Sequence, residues 1–287
     1  MSTSRLEALA YRMLGSVADA EDVLQEAQLR RLKLAAPPDN EEAWLTRVVT
    51  NLALDRLREQ KRRRETYTGP WLPEPLPTAT EGDEPEGVAE LAEQLGMGLM
   101  LMLERLSPVE RAVFVLREGF DLGFDDIGAM LDSTPASCRQ RYRRAKAHLA
   151  GEEDRGYAGP PEVQRRLLAS LLDAVAARDL PGLVSLFTED CVAYADGGGV
   201  VSAAIIPVTA PKRIAQVTLH VVEKLAAEGE MGIHWTTLNG NPGLLISQNG
   251  RLVATVALEA AGDLIRRVYI VRNPEKLAHL ALTEQRG

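Results

Sequence analysis

Five prolines (Pro70, Pro73, Pro75, Pro77 and Pro85) and three glycines fall within the 24 residues from Glu65 to Val88. Each proline lacks an N–H and fixes φ, so a regular helix cannot run through such a stretch. The chain must therefore fold in pieces on either side of it. A second, shorter break runs from Gly151 to Pro161. The expected organisation is multidomain: residues 1–64, a proline-rich acidic linker at 65–88, residues 89–150, a short linker at 151–161, and residues 162–287. A length of 287 residues accommodates about two domains or a little more. The first linker need not be limp, since Trp71 and Leu72 among prolines suit an extended segment that docks.

Residues 5 to 64 read as helical throughout. Leu6, Leu9, Ala10, Met13 and Leu14 keep helical apolar spacing, as do Ala20, Val23, Leu24 and Ala27. Asp19 is expected to cap the second helix with Asp22 at its third position, and Asp39 with Glu42 repeats the arrangement before Ala43. In the third helix Leu45, Val48, Val49, Leu52 and Leu57 give the buried stripe, with Trp44 on it and Arg47, Arg56 and Arg58 off it. After the linker, helix returns from about Ala89 to Leu106. Ser107-Pro108-Val109-Glu110 then opens another helix with a hydroxyl cap, a proline at the first position and a glutamate able to reach back. A helix at about Phe124–Leu131, the turn Asp132-Ser133-Thr134 and a third helix from Pro135 complete a unit that a DNA major groove accepts.

That last helix carries Arg139, Gln140, Arg141, Arg143, Arg144 and Lys146, five cations with no acid among them. Arg139, Gln140 and Arg143 are candidates for base edges, Arg144 and Lys146 for phosphates. A second cationic run holds Arg56, Arg58, Lys61, Arg62, Arg63 and Arg64 against the single acid Glu59, an electrostatic track for nucleic acid. Asn51 fits either a bond to nucleic acid or a cap within a helical core. The net charge of −8 looks wrong for a DNA binder, but the charges are segregated. Glu65–Glu93 holds eight acids and no Lys or Arg. Such a chain should bind DNA weakly alone and be presented to it by a larger partner.

From Glu162 the character changes. Helices at about Val163–Arg178 and Leu180–Phe187 precede strand-like runs at Cys191–Tyr194, Val200–Ile206, Gly232–Thr237, Leu244–Gln248, Leu252–Leu258 and Ile265–Val271, with a helix at Ala210–Ala227 between them. This pattern suggests an α+β fold with a cone-shaped cavity. With 13 acids and 12 bases from 162 to 287, the domain is a poor nucleic-acid candidate. Cys138 and Cys191 lie far apart and imply neither disulfide nor metal, so no metal and no cofactor are expected. No run approaches the length of a membrane helix and no signal-peptide core opens the chain, so a cytoplasmic protein with no membrane partner is expected.

Taken together, these pieces resemble an extracytoplasmic-function sigma factor of the sigma-70 family. Asp19-Ala-Glu-Asp-Val-Leu-Gln-Glu-Ala27 resembles the segment that docks on the clamp of RNA polymerase. Trp44-Leu-Thr-Arg-Val-Val-Thr-Asn-Leu-Ala-Leu-Asp-Arg-Leu-Arg58 resembles the helix that opens and reads the downstream promoter element. Ser107–Leu149 resembles the domain that reads the upstream element. The matches span about residues 5–149, in the right order. Little chain precedes Arg5, so the first helix is expected to be short. Trp71-Leu-Pro-Glu-Pro-Leu76, Asp196-Gly-Gly-Gly199 and Asn273-Pro-Glu-Lys-Leu277 resemble marks of a subgroup with a C-terminal SnoaL-like domain. The subgroup's glycine run is usually followed by lysine, where this chain has Val200.

The resemblance implies two all-α sigma domains, the second with a helix-turn-helix, followed by an α+β SnoaL-like (NTF2-like) domain that modulates the sigma factor in cis. It implies core RNA polymerase, through its clamp and flap surfaces, and promoter DNA as partners, with no separate anti-sigma factor required. Asp19, Asp22, Gln25 and Glu26 then meet polymerase. Trp71, Leu72 and Pro73 meet Asp196, Gly197, Gly198, Gly199, Asn273, Pro274 and Lys276 in a regulatory contact. Related folds place acids, histidines or tyrosines inside the cone, which here points to Asp196, His220, His234, Trp235 and Tyr269. Lone histidines on strands are more often structural, and the expectation is a protein without catalytic activity. The competing readings are a stand-alone helix-turn-helix regulator sensing a small ligand in the C-terminal cavity, and an enzyme whose second half acts on a small hydrophobic substrate.

Overall fold

The computed structural model describes residues 3–64, 66–78, 96–149 and 159–280, without the side chains of residues 3, 4, 63 and 64. The chain divides into two compact units, Met1–Thr66 with Leu99–Asp154, and Tyr67–Gly98 with Arg155–Gly287.

The described part of the first unit is helical. It opens with α1 (Thr3–Leu14), α2 (Val17–Leu32) and α3 (Glu41–Arg64), packed on one another. Ser16 Oγ accepts from the Asp19 N–H at 3.1 Å, so Ser16 caps α2 and Asp19 lies inside the first turn, where its charge still favours the helix dipole. Asp19 was expected to be the cap. Ser16 holds the extended backbone that a cap needs. The same one-step error recurs at α3, where Asn40 Oδ1, not the Asp39 carboxylate, accepts from Ala43 N at 3.0 Å. The buried seam of α3 also differs from the expected stripe. Thr46, Val49, Thr50, Ala53, Leu57 and Gln60 are buried, while Leu45, Val48 and Leu52 are half-buried and Trp44 is no deeper. The two threonines tolerate burial because their hydroxyls bond back to Glu42 O (2.8 Å) and Thr46 O (2.7 Å).

α4 (Met97–Leu103) falls within the helix expected over Ala89–Leu106 and begins only after the non-helical Gly96; residues 89–95 lie outside the described residues. It stops before Leu106 because the following Ser107 precedes a proline and holds ψ 155. α5 (Pro108–Glu118) begins with a complete capping box between Ser107 and Glu110. α6 (Phe124–Met130) and α7 (Pro135–Leu149) form the helix-turn-helix, α7 packing on both α5 and α6. Asp132, at φ 48, lies in the turn between them. Gly128 lets that turn close on α6, since a Cβ there would stand 2.8 Å from Ser133 O. Cys138, Ala145 and Leu149 bury one face of α7, leaving the cations on the other.

The second unit is α+β, as expected. It contains α8 (Pro161–Ala176), α9 (Leu180–Ser185), β1 (Phe187–Asp196), β2 (Val208–Thr209), α10 (Pro211–Glu228), β3 (Met231–Leu238), β4 (Asn241–Gln248), β5 (Arg251–Ala261), β6 (Leu264–Val271) and α11 (Pro274–Leu277). The sheet order is β2-β1-β6-β5-β4-β3, with β1 and β6 parallel and the other neighbours antiparallel. Leu167, Leu168 and Leu171 of α8, Leu183 of α9 and Ile214 of α10 cluster with Leu244, Leu258 and Val268 of the sheet. One expected strand, Val200–Ile206, is a loop. Gly198 and Gly199 hold φ 64 and 72, and Gly197 O accepts from both Val200 N and Val201 N. This turn takes the chain out of the sheet, and of the stretch after β1 Val208–Thr209 returns to pair with it. Val200, Ile205 and Ile206 are left exposed.

Candidate nucleic-acid interface and linker latch

On α7 the structure leaves Arg139, Gln140, Arg143, Arg144 and Lys146 exposed, and Arg141 half-buried with a bond to Ser133 Oγ at 3.0 Å. The helix is seated by Tyr142, which stacks on Phe114 at 6.3 Å, meets Phe124 edge-on at 5.6 Å and donates its hydroxyl to Glu118. Burial, then the Glu118 carboxylate, push the Tyr142 phenol up to about 12. It therefore stays a donor at neutral pH.

The candidates on α3 are more engaged. Arg56 reaches Asp19 at 3.5 Å and Asp22 at 3.3 Å, and Gln60 donates to Asp19 at 2.6 Å. Two residues of the acidic α2 face are thereby joined to the cationic track. Glu26 pairs with Arg30 at 2.8 Å, and Gln25 is exposed. Arg58 pairs with Asp55 at 2.7 Å, while Lys61 and Arg62 are exposed. The side chains of Arg63 and Arg64 lie outside the described residues. Asn51 Nδ2 points at Met130 O at 3.5 Å, and Arg47, which the sequence did not single out, pairs with Asp132 at 2.9 Å. Both contacts tie α3 to the end of α6 and its turn. In the same unit Arg111, fully buried, donates to Arg12 O at 2.9 Å and Glu104 at 2.7 Å. Burial pulls Arg111 down to about 9 and Arg12 to about 10, so both remain charged at neutral pH.

In the second unit the three expected marks converge on one carboxylate. Asp196, at the end of β1, is 0% exposed. Its oxygens accept from Leu72 N at 2.8 Å, Gly198 N at 3.0 Å, Lys276 Nζ at 2.7 Å and the Tyr67 hydroxyl. Lys276, on α11, also donates to Leu72 O at 2.5 Å and lies 3.4 Å from the Trp71 ring centroid. A buried carboxylate is tolerable here because a buried ammonium and three further donors meet it. Pro73 is buried beside this group. Gly197 and Gly198 have no room for a side chain, since a Cβ would come within 2.4 Å of Val201 O and 2.5 Å of Asn273 Nδ2 respectively. Gly199 brings the backbone against Thr68, 3.2 Å from an added Cβ. Asn273 caps α11, Pro274 follows at its first position, and Asn273 Nδ2 donates to the Tyr67 hydroxyl at 3.1 Å.

The sequence missed three members of this latch. Tyr67 packs edge-on against Trp71 at 4.6 Å, and burial followed by its bond to Asp196 raises its phenol above the ordinary value. His279 bonds Pro75 O at 2.8 Å, and Asn239 Oδ1 accepts from Leu76 N at 3.1 Å. Tyr67 and its proximity to Trp71 were the only local signal. The extended segment finally bridges to β3 through Pro77 and Leu238, and Thr78 N bonds Thr237 O at 3.1 Å.

The five residues considered for catalysis do not share one site. Asp196 belongs to the latch, and His220 is exposed on α10. His234 bonds Ser247 at 3.2 Å, Trp235 lies beneath Arg165, and Tyr269 donates to the buried Glu259 at 2.7 Å. Among the described residues no group of three or more His, Cys, Asp or Glu could hold a metal ion, and no helix is long and apolar enough to cross a membrane.

A bundle ending in a long cationic helix, a helix-turn-helix and an appended α+β domain define a helical DNA-reading protein with a C-terminal α+β extension. Residues 3–63 match the family of sigma-70 region 2, and residues 97–149 match sigma-70 region 4. The chain is 32% identical over 305 aligned positions to the ECF RNA polymerase sigma factor SigJ of Mycobacterium tuberculosis, covering 100% of this chain and 96% of that one. It is 29% identical over 282 positions to the probable ECF RNA polymerase sigma factor SigI of the same species, covering 94% and 90%. The crystal structure of the M. tuberculosis SigJ matches with a TM-score of 0.76 at 29% identity, over 96% of this chain and 95% of that one. The chain belongs to the extracytoplasmic-function sigma factors of the sigma-70 family. Proteins of this family bind core RNA polymerase and promoter DNA, and they are not enzymes.

Proposed function

We propose that this sigma factor directs polymerase to promoters through the α2 face, the α3 track and α7, and that its own C-terminal domain tunes that activity. In this reading Asp19, Asp22, Gln25 and Glu26 meet the clamp. Asn51, Arg56, Arg58 and Lys61–Arg64 hold the downstream element. Arg139, Gln140, Arg141, Arg143, Arg144 and Lys146 hold the upstream one. The observation that carries the regulatory part is the latch. Only Glu65 and Thr66 separate the end of α3 from Tyr67, and Tyr67 and Leu72 are hydrogen-bonded to the buried Asp196–Lys276 ion pair of the C-terminal domain. The contacts of Arg47 and Asn51 with Asp132 and Met130 support a resting state in which the α3 face is occupied within its own unit. The cis domain serves in place of a separate anti-sigma protein, and no catalytic role is assigned to it.

Run-off transcription with core polymerase on a promoter library tests this reading. Full-length protein, residues 1–161 and full-length Asp196→Ala are compared. Promoter-selective transcripts from all three, with altered yield in the last two, are expected. Equal yields would remove the regulatory role. Tight, sequence-specific DNA binding without polymerase would instead favour a stand-alone regulator.

A further inference from the structure

The geometry points to Phe124 as a positioning residue that sets base specificity by holding the guanidinium of Arg139 ready for DNA. The inference rests on the reading that Arg139 contacts a base. Phe124 is the first residue of α6, and Arg139 sits one turn into α7. The Arg139 guanidinium carbon lies over the Phe124 ring, 6.0 Å from its centroid. Arg117 lies over the same ring at 5.4 Å, but the two arginines differ in what else they do. Arg117 spends donors on Leu122 O at 2.9 Å and Asp121 at 3.5 Å. Arg139 makes no hydrogen bond or ion pair among the described residues, and the Phe124 ring is its partner there.

A cation over an aromatic ring is held through the π face, and this leaves the in-plane N–H donors of a guanidinium free to form a bidentate bond. Phe124 is itself held. Tyr142 packs edge-on against it, Phe114 stacks on Tyr142, and Glu118 fixes the Tyr142 hydroxyl. This chain of contacts runs from α5 through α7 to the ring. An otherwise unpartnered arginine has several free rotamers to lose on binding, and pre-orienting it removes part of that cost. Arg141 in the same helix already has Ser133 Oγ as a partner. Arg143 and Arg144 have no ring partner of this kind among the described residues, so the device singles out Arg139.

The test is a mutant cycle on the full-length protein with core polymerase, reading transcription from a library of upstream-element variants. The variants are Phe124→Leu, Arg139→Ala, the double variant and Phe124→Tyr. Arg139→Ala is expected to relax preference at one or two base positions. Phe124→Leu should lower discrimination at those same positions by about two- to fivefold and leave the others unchanged. It should have no further effect once Arg139 is alanine, and Phe124→Tyr should restore discrimination. An equal loss on every promoter, or effects that multiply in the double variant, would reduce Phe124 to a packing residue and overturn the inference. Unchanged preference in Arg139→Ala would overturn both the inference and the base-reading role beneath it. If Phe124→Leu fails to fold, Phe124→Met replaces it in the cycle: a loss confined to the Arg139-dependent positions supports the inference, and a uniform loss or no loss overturns it.

Discussion

Replacing Lys276 by methionine keeps most of the side chain's bulk and removes one charge from the latch. The lost ammonium bonds Asp196 at 2.7 Å and Leu72 O at 2.5 Å, and it stands 3.4 Å from the Trp71 ring centroid. Breaking a buried ion pair by deleting one partner costs about 3–5 kcal/mol. The lower end applies here, because Asp196 keeps donors from Tyr67, Leu72 and Gly198. The Leu72 amide is a local probe, since its hydrogen points at Asp196. A loss of about 3 kcal/mol in the opening free energy corresponds to exchange faster by about a hundredfold or somewhat more. Hydrogen exchange at Leu72 in Lys276→Met, Asp196→Asn and the double variant measures it. The double variant should lose about 1–3 kcal/mol less than the sum of the singles, because it leaves no unpaired charge behind. Strict additivity, or exchange at Leu72 within a few-fold of wild type in Lys276→Met, would refute the argument that the pair closes the latch.

Three further outcomes are expected. Ser107→Ala removes the cap of α5 and should lower stability by about 1 kcal/mol in urea denaturation, with most of the loss recoverable by Ser107→Asp. Gly128→Ala forces a methyl toward Ser133 O, 2.8 Å from the ideal Cβ, and should cost about 1–3 kcal/mol while raising unfolding rate. The Tyr67 phenol is raised in the folded state, so its contribution is complete below pH about 10, where unfolded tyrosine is also protonated. Above that pH the unfolded phenol ionises first and stability falls. Tyr67→Phe should therefore flatten the decline in denaturation midpoint between about pH 10 and 11; an unchanged slope would contradict the assignment.

The helical half was legible because its signals are local. The Ser107–Glu110 capping box, the Phe124 and Pro135 helix starts and the α7 cations all act within one or two turns. The errors were local too. Asp19 and Asp39 have the chemistry of caps, but Ser16 and Asn40, their near neighbours, hold the backbone positions that count. The seam of α3 was misread because Thr46 and Thr50 satisfy their hydroxyls within the helix and so enter the core in place of larger residues. In the second unit, Val200–Ile206 has β-branched content, but glycines at positive φ turn it away from the sheet. Recognition of motifs brought Trp71, Asp196 and Lys276 together, whereas no local pattern does. Leu72 lies 124 residues from its Asp196 acceptor, and Lys276 lies 80 from the same carboxylate. Arg47, Asn239 and His279 were missed for that reason, each having a partner far off in sequence.

Pro77 and Thr78 of the linker also guard the sheet against self-association. β3 is an outer strand, and Pro77 and Thr78 occupy the end of it nearest Leu238. At the opposite edge, β2 is two residues long and offers almost no template. Short strands and prolines are how soluble sheets avoid joining their neighbours edge to edge. A linker that let go completely would uncover more of the β3 backbone, with Ile233 already exposed beside it. Opening the Asp196 end while Pro77 and Thr78 stay paired would leave that edge covered. The cover at Pro77 and Thr78 thus gives this short stretch a second role, as the protection of an outer strand.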